Sequence, residues 1–388
     1  MNPQRAHAGI YLHIPFCRAK CDYCGFYSIP VDGMPRAESR ALLARYVQRL
    51  VREMKLRAPS LDGRGADTLY LGGGTPSLLS PEMVERLIEN AQRELGLLPH
   101  AEITIECNPE DFSPARTGEY RDAGVNRVVL GVQAFREVER RVIGRRARLA
   151  GIEVLHSFMD VPGIAHCMDY IAGAPGMDRV RAGEDARLLL ELRPEHISAY
   201  MLTLEKGTPL AARLATSYEL ERTQREAFES VMDILEAGGY DHYEVSNFSL
   251  PGFESRHNLK YWRFMPYLGA GASAHSFLGG ERCYNAQTVE EYLADEGVTL
   301  VRDERSWNAA AVELIMTGIR LSTGVAASYF REVLGREIPG EMLRTLGALE
   351  DEGLVLIDRE GPDFRVRLTR EGFFRSDEVA FRATEPLL

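Results

Sequence analysis

Short runs rich in β-branched and aromatic residues recur along the first half of the chain roughly every 30 residues, the span of a βαβ unit. They are GIYLHIP, DTLYLGGG, EITIEC, NRVVLGVQ, MDYIAGAPG and HISAYMLTLE. Between most of them lie stretches with apolar residues three and four apart, the spacing of a helix with one buried face. ESRALLARYVQRLVREMKLRA is one; SPEMVERLIENAQREL is another, opened by Ser80-Pro81, a serine placed to cap and a proline at the first helical position. Strand and helix alternating six times predict a parallel sheet with helices outside it, and such sheets place chemistry at the carboxyl ends of their strands.

After about residue 245 the alternation stops. NFSLPGFESRHNLKYWRFMPYLGAGASAHSFLGG is rich in glycine, proline and polar residues and reads as loop-rich. Helical periodicity returns near residue 300. Farther on, MLRTLGALEDEGLVLIDREGPDFRVRLTREGFF reads as a helix, two strands joined by a Gly-Pro-Asp turn, and a further helix opened by Leu-Thr, a winged-helix-like pattern. The chain therefore divides into residues 1–245, a segment 246–299, and a smaller α+β unit 300–388.

A length of 388 residues exceeds one ordinary domain, in keeping with that division. The formal charge of -11 speaks against a general binder of nucleic acid, so packing or partner docking is the expected use of the winged-helix-like unit. No signal peptide or bilayer-length apolar run is legible, and the expected location is the cytoplasm. In that reducing compartment clustered cysteines are metal ligands or catalysts more often than disulfides. Of six cysteines, Cys17, Cys21 and Cys24 cluster in YLHIPFCRAKCDYCGFYSIP, while Cys107, Cys167 and Cys283 are scattered and read as small buried hydrophobes.

Three thiolates on one loop suit zinc or an iron–sulfur cluster. A structural zinc site wants four ligands, and no second Cys or His pair follows. His13 precedes Cys17, but its place in the strand alternation reads as core. A four-iron cluster on three cysteines would keep one iron open for an exchangeable ligand. Polar residues also stand at successive strand ends. LGGGTPS supplies Gly73, Gly74 and Thr75, whose backbone can approach a ligand and offer it free amides. ECNPE supplies Glu106, a carboxylate for an ammonium or ribose hydroxyls; GVQAF supplies Gln133, followed by Arg145; MDYIAGAPG supplies Asp169. Each alone could cap a helix or bond a loop.

C-x3-C-x2-C directly after the first strand of a six-fold α/β pattern resembles the radical S-adenosylmethionine (SAM) superfamily. The resemblance implies a partial (β/α)6 barrel, a [4Fe–4S] cluster on Cys17, Cys21 and Cys24, and SAM chelating the open iron through its amino and carboxylate groups. It places Tyr23 over the adenine and Gly73, Gly74 and Thr75 on the methionine portion. Tyr11, Glu106, Gln133, Arg145, Asp169 and Met201 fall at further SAM-contacting positions.

With HISAYMLTLEKGTPL, YEVSNFSLPGFESRHNLKYW and YLGAGASAH added, the motifs are similar to the branch that holds oxygen-independent coproporphyrinogen III oxidase and the HemW-type heme chaperones. In that branch the oxidase carries a further cysteine two residues after the third; here the position is Phe26, as in the chaperones. HNLKYW matches the branch's H-N-x-x-Y-W heme signature, which implies His257 as a heme-iron ligand with Asn258, Tyr261 and Trp262 about the macrocycle; His275 in GASAHS is a second candidate ligand. The implied function is a heme chaperone that binds heme and a SAM-ligated cluster and passes heme to an acceptor protein, membrane-associated or respiratory. The alternatives are the coproporphyrinogen oxidase reaction and a radical SAM enzyme acting on heme itself. Two departures from the branch's pattern, Ala147 for a histidine and Met177 for a polar residue, bear on SAM cleavage more than on SAM binding.

Overall fold

The computed structural model describes residues 6–214, 218–303, 305–360 and 363–388. Six strands follow the six apolar runs in order: β1 (Ala8–Ile14), β2 (Ala66–Gly73), β3 (Leu97–Cys107), β4 (Arg127–Gln133), β5 (Ala165–Ala172) and β6 (His196–Met201). Each pairs in parallel with the next. Sheet order equals chain order because every crossover returns the chain one strand farther along. Side chains alternate along the strands: Ile10, Leu12 and Ile14 of β1 and Leu69 and Leu71 of β2 are fully buried in the core, while Tyr70, Glu106, Gly131 and Asp169 line a cavity.

The helices form where their local signals stand. In Pro81–Leu95, Ser80 Oγ accepts the Met83 amide at 3.4 Å, Gly96 ends the helix at φ 63°, and Val84, Leu87, Ile88, Ala91 and Leu95 are buried.

Segment 246–299 differs from its loop-rich expectation. After β7 (Asp241–Glu244) and β8 (Asn247–Ser249), which extend the β6 edge antiparallel, it forms the helix Arg256–Trp262 and then β9 (Tyr267–Ala270), parallel to β1. The strands β10 (His275–Leu278), β11 (Glu281–Tyr284) and β12 (Val301–Asp303) continue that edge antiparallel, so one twelve-stranded sheet crosses the expected boundaries at 245 and 299. β9 is a four-residue run containing glycine, too short to show a period; the open edge of β1 makes it a strand.

A second core joins Phe264, Tyr267 and Phe277 of this segment to Leu314, Phe330 and Leu346 of the C-terminal unit. That unit has the winged-helix-like order: helix Gly340–Asp351, antiparallel strands Val355–Glu360 and Asp363–Leu368, and helix Arg370–Phe374 capped by Thr369. Of the expected Gly-Pro-Asp turn, Gly361 and Pro362 lie outside the described residues. Among the described residues no helix is long and apolar enough to cross a membrane.

Candidate cofactor site

A cavity of ≈ 590 Å³, a size suited to a small-molecule ligand, runs down inside the sheet from the carboxyl ends of its strands. Cys17, Cys21, Tyr23 and Cys24 line it from the loop after β1. Gly73, Gly74 and Thr75 line it after β2, Glu106 on β3, Gln133 at the end of β4, Arg145 beyond it, Asp169 on β5 and Met201 at the end of β6. Residues far apart in the chain thus meet around one space.

The cysteine loop is pinned from beneath. Asp22, buried, takes Arg146 Nη2 at 3.0 Å and Arg213 Nη1 at 2.5 Å, and its backbone bonds Gly144 and Leu210. Arg145 and the next amide then reach the sulfur: Arg145 Nη1 lies 3.5 Å and Arg146 N 3.4 Å from Cys21 Sγ. Hydrogen bonds of this kind to thiolate sulfur tune iron–sulfur centres. Burial pushes the Cys17 and Cys24 thiols up, so metal binding displaces their protons. Among the described residues no three His, Cys, Asp or Glu side chains converge on a single-ion position. Arg145 Nε is buried without a partner among the described residues, a further donor at this wall.

The glycine run works differently from expectation. Its amides are occupied: Gly73 N donates to Glu106 Oε2 at 3.1 Å, Gly74 N to Ile14 O at 3.0 Å, and Thr75 N to Phe16 O at 2.7 Å. Gly73 sits at φ 111°, and a Cβ there would fall 2.3 Å from the His13 ring; at Gly74 it would fall 2.6 Å from Phe16 O. Glycine is needed so that this backbone can lie against the cysteine loop and aim the Glu106 carboxylate.

Glu106 also accepts the Tyr70 hydroxyl at 2.9 Å. Burial first, and then Asp169, raise its carboxyl to about 7; burial raises Asp169 to about 6, against the hydrogen bond from Ser198 and the charges of Arg145 and Arg127. Two carboxylates sharing a cavity suit a cationic ligand. Both values are raised, so the ligand-free fold holds these protons more tightly than the unfolded chain. The resulting stability is full below about pH 4 and is lost as pH rises through 6 and 7. A cationic ligand such as the SAM sulfonium favours both carboxylates ionised, so SAM affinity should climb about tenfold per pH unit for each group that must ionise, levelling above 7. Equilibrium binding of SAM across this range checks it, and Glu106→Gln should flatten the upper part of the profile. Gln133 stands at φ 67°, a left-handed conformation that costs a non-glycine residue energy and is common at binding sites.

Tyr11 and most of HNLKYW stand outside the cavity. Tyr11 lies behind its wall, with its hydroxyl 2.9 Å from His13 Nδ1 and its ring stacked 6.1 Å from Tyr70. His257 is buried near the amino ends of the strands, opposite the cysteine loop, with Nδ1 2.8 Å from Thr68 Oγ1 and Nε2 2.8 Å from the Tyr261 hydroxyl. Both ring nitrogens are occupied, and burial together with Lys260 lowers the imidazole to about 3. As folded without a ligand, His257 has both nitrogens engaged by Thr68 and Tyr261, and binding an iron there would require one of these contacts to be released. Tyr261 packs edge-on to Tyr267 at 4.6 Å, and Trp262 lies 4.7 Å beneath the Arg320 guanidinium. Asn258 does line the cavity. His275 is exposed on β10.

The departures also find places. Met177 is fully buried, its sulfur accepting from the Tyr170 hydroxyl and the Gly173 amide, and Ala147 lines the cavity. Cys167 is buried as expected; Cys107 is buried yet at the cavity wall, and Cys283 is half-buried. Tyr70, Asn108, Arg127, His196 and Ser198 were not among the expected site residues, although all line the cavity. For all but Asn108, which follows β3, the signal was a polar side chain at an inward position of a strand otherwise buried.

Residues 11–189 match the model of the radical SAM superfamily. Heme chaperone HemW of Lactococcus lactis is 32% identical over 95% of this chain and 95% of its own. HemW of Mycobacterium tuberculosis is 34% identical over 96% and 93%, and HemW of Escherichia coli 36% over 69% and 69%. Among solved structures, coproporphyrinogen III oxidase HemN of Escherichia coli, a radical SAM enzyme, superposes with a TM-score of 0.81 at 21% identity, covering 98% of this chain and 91% of that one. That likeness shows the fold. With a cysteine loop, a glycine turn and an acidic wall in one cavity and relatives above 30% identity along nearly their whole length, the chain belongs to the radical SAM superfamily and, within it, to the HemW family.

Proposed function

We propose that this protein is a heme chaperone, binding heme beside a SAM-ligated [4Fe–4S] cluster and passing it to an acceptor protein. The observation that carries the reading is the near-full-length match to heme chaperones HemW. Cys17, Cys21 and Cys24 hold the cluster, which when bound supplies an open iron for SAM and an electron. Arg145 and the Arg146 amide hold charge on the Cys21 sulfur. Glu106 and Asp169 offer negative charge to the SAM sulfonium and hydrogen-bond acceptors to its N–H and O–H groups, and Tyr70 and the Gly73 amide keep Glu106 aimed. The acceptor is membrane-associated or respiratory, and the work is cytoplasmic.

Heme, a flat apolar molecule, docks at the cavity mouth rather than at His257. Three exposed apolar side chains line that rim: Phe26 at 70% exposure, Tyr200 at 41% and Met201 at 37%. Phe26 stands where the oxidase branch has its additional cysteine, so this rim offers ring surface in place of a thiol. Phe26→Ser should weaken heme binding roughly tenfold, about 1.4 kcal/mol, and leave SAM affinity unchanged; heme titration by absorbance checks it.

The function is tested on anaerobically purified protein with a reconstituted cluster. Saturable heme binding, transfer to an apo-acceptor and no protoporphyrinogen from coproporphyrinogen III are expected. Conversion of coproporphyrinogen would establish the oxidase reaction, and methylated or linearised tetrapyrrole would establish an enzyme acting on heme.

A further inference from the structure

We propose that the floor of the cavity is a second ligand subsite, shaped to take the carboxylate end of an organic acid that enters head first. The floor lies at the amino ends of the strands, away from the cysteines. Arg127 opens β4 and His196 opens β6; both line the cavity, with Ser255 and Asn258 beside them. They are 4% and 3% exposed.

Neither has a full set of partners. Arg127 Nη1 donates to Phe253 O at 3.0 Å, and the Glu102 carboxylate stands 3.8 Å away, already accepting the amides of Arg256 and His257. Nη2 has no partner among the described residues. His196 Nε2 lies 2.8 Å from the Tyr243 hydroxyl, whose oxygen accepts the Ser255 amide at 3.2 Å. The hydroxyl proton then points to Nε2, and the ring proton resides on Nδ1, which is also unpartnered among the described residues. Thr104 Oγ1, in register with Arg127 across β3 and β4, is likewise buried without a partner among the described residues.

Buried polar atoms without partners are uncommon, and a buried guanidinium with a spare N–H calls for an acceptor carrying negative charge. Burial, aided by Arg127, keeps the His196 imidazole neutral, well below its usual value, so it serves as a donor without adding a second cation. Between floor and mouth Val129 and Ile171 line the space. A carboxylate on a short apolar stem can rest that stem on Val129 and Ile171, beside the Glu106 and Asp169 carboxylates at the same depth; a bare inorganic anion makes no use of the two apolar side chains.

The full-length protein is titrated by calorimetry and thermal shift with butyrate and hexanoate, with butyramide as the neutral control. Saturable binding of the acids and none of the amide is expected, weakened roughly tenfold or more in Arg127→Met, which keeps the packing of the stem. Should that variant not fold, Arg127→Lys keeps a cation near Glu102 but loses the fork, and is expected to weaken the acids roughly threefold or more. Equal binding of acid and amide, or unchanged acid affinity in the folded variants, would overturn the subsite and leave the floor to water. Heme uptake measured on the same samples reports on the chaperone reading alone. Displacement of hexanoate by heme would assign the carboxylate to the cargo, its absence to a separate small acid, and either result upholds the subsite.

Discussion

Cys21→Ala abolishes the visible absorbance of the anaerobically reconstituted protein, and its iron and sulfide content falls to near zero. Among the three cysteines, Cys21 is the one whose sulfur receives two N–H donors from the segment after β4. Its removal takes away a third of the protein ligation and leaves the Arg145 and Arg146 donors facing a methyl group. Two cysteines do not hold a cluster that normally takes four thiolates. The loss is of metal, not of fold. The loop stays anchored through Asp22 and its two arginines, and exchanging a small thiol for a methyl costs on the order of 1 kcal/mol. Cys167→Ala, which removes a fully buried thiol of β5, is the control: a similar small loss of stability with the cluster intact. Iron analysis and absorbance separate the two. A wild-type protein isolated with one zinc per chain and no chromophore would contradict this account.

His257→Ala is expected to lower stability by about 2–4 kcal/mol, because it opens a cavity and leaves two buried hydroxyls short of a partner. Thr68 on β2 loses Nδ1 and Tyr261 loses Nε2. The effect reaches the cofactor wall as well. The imidazole ring is 5.2 Å from that of Tyr70, which holds Glu106 through its hydroxyl. Weaker SAM binding should therefore accompany the lower melting temperature, with heme affinity retained at the mouth. His257→Gln, which can keep one of the two hydrogen bonds, should recover part of both losses. A variant that melts as wild type, binds SAM as wild type and loses heme would make His257 the iron ligand. Thermal unfolding, SAM binding and heme titration on one preparation distinguish these results.

Six strand positions and the two leading helices were legible from local pattern because the determinants lie within a few residues of each other. The caps at Ser80 and Gly96 bond inside their own turn, and the alternation along β1 and β2 is a property of the strand itself. The cysteine spacing was legible for the same reason, since all three thiols ride on one loop. The amides of Gly73 to Thr75, by contrast, read as free because Glu106, Ile14 and Phe16 are distant in the chain. β9 read as loop because its partner, β1, lies more than two hundred and fifty residues earlier.

HNLKYW shows the same limit. Histidine, tyrosine and tryptophan close together suit a porphyrin by residue type, and only the packing decides whether their polar atoms face a ligand or each other. Here the helix Arg256–Trp262 places positions 257 and 261 one turn apart, so their side chains bond one another, while Asn258, one position on, faces the cavity. By itself, then, the sequence determined the elements and the three-thiol loop, through interactions confined to a turn or a strand. The tertiary structure decided which polar groups remain open to a ligand, because that depends on partners brought together from the far ends of the chain.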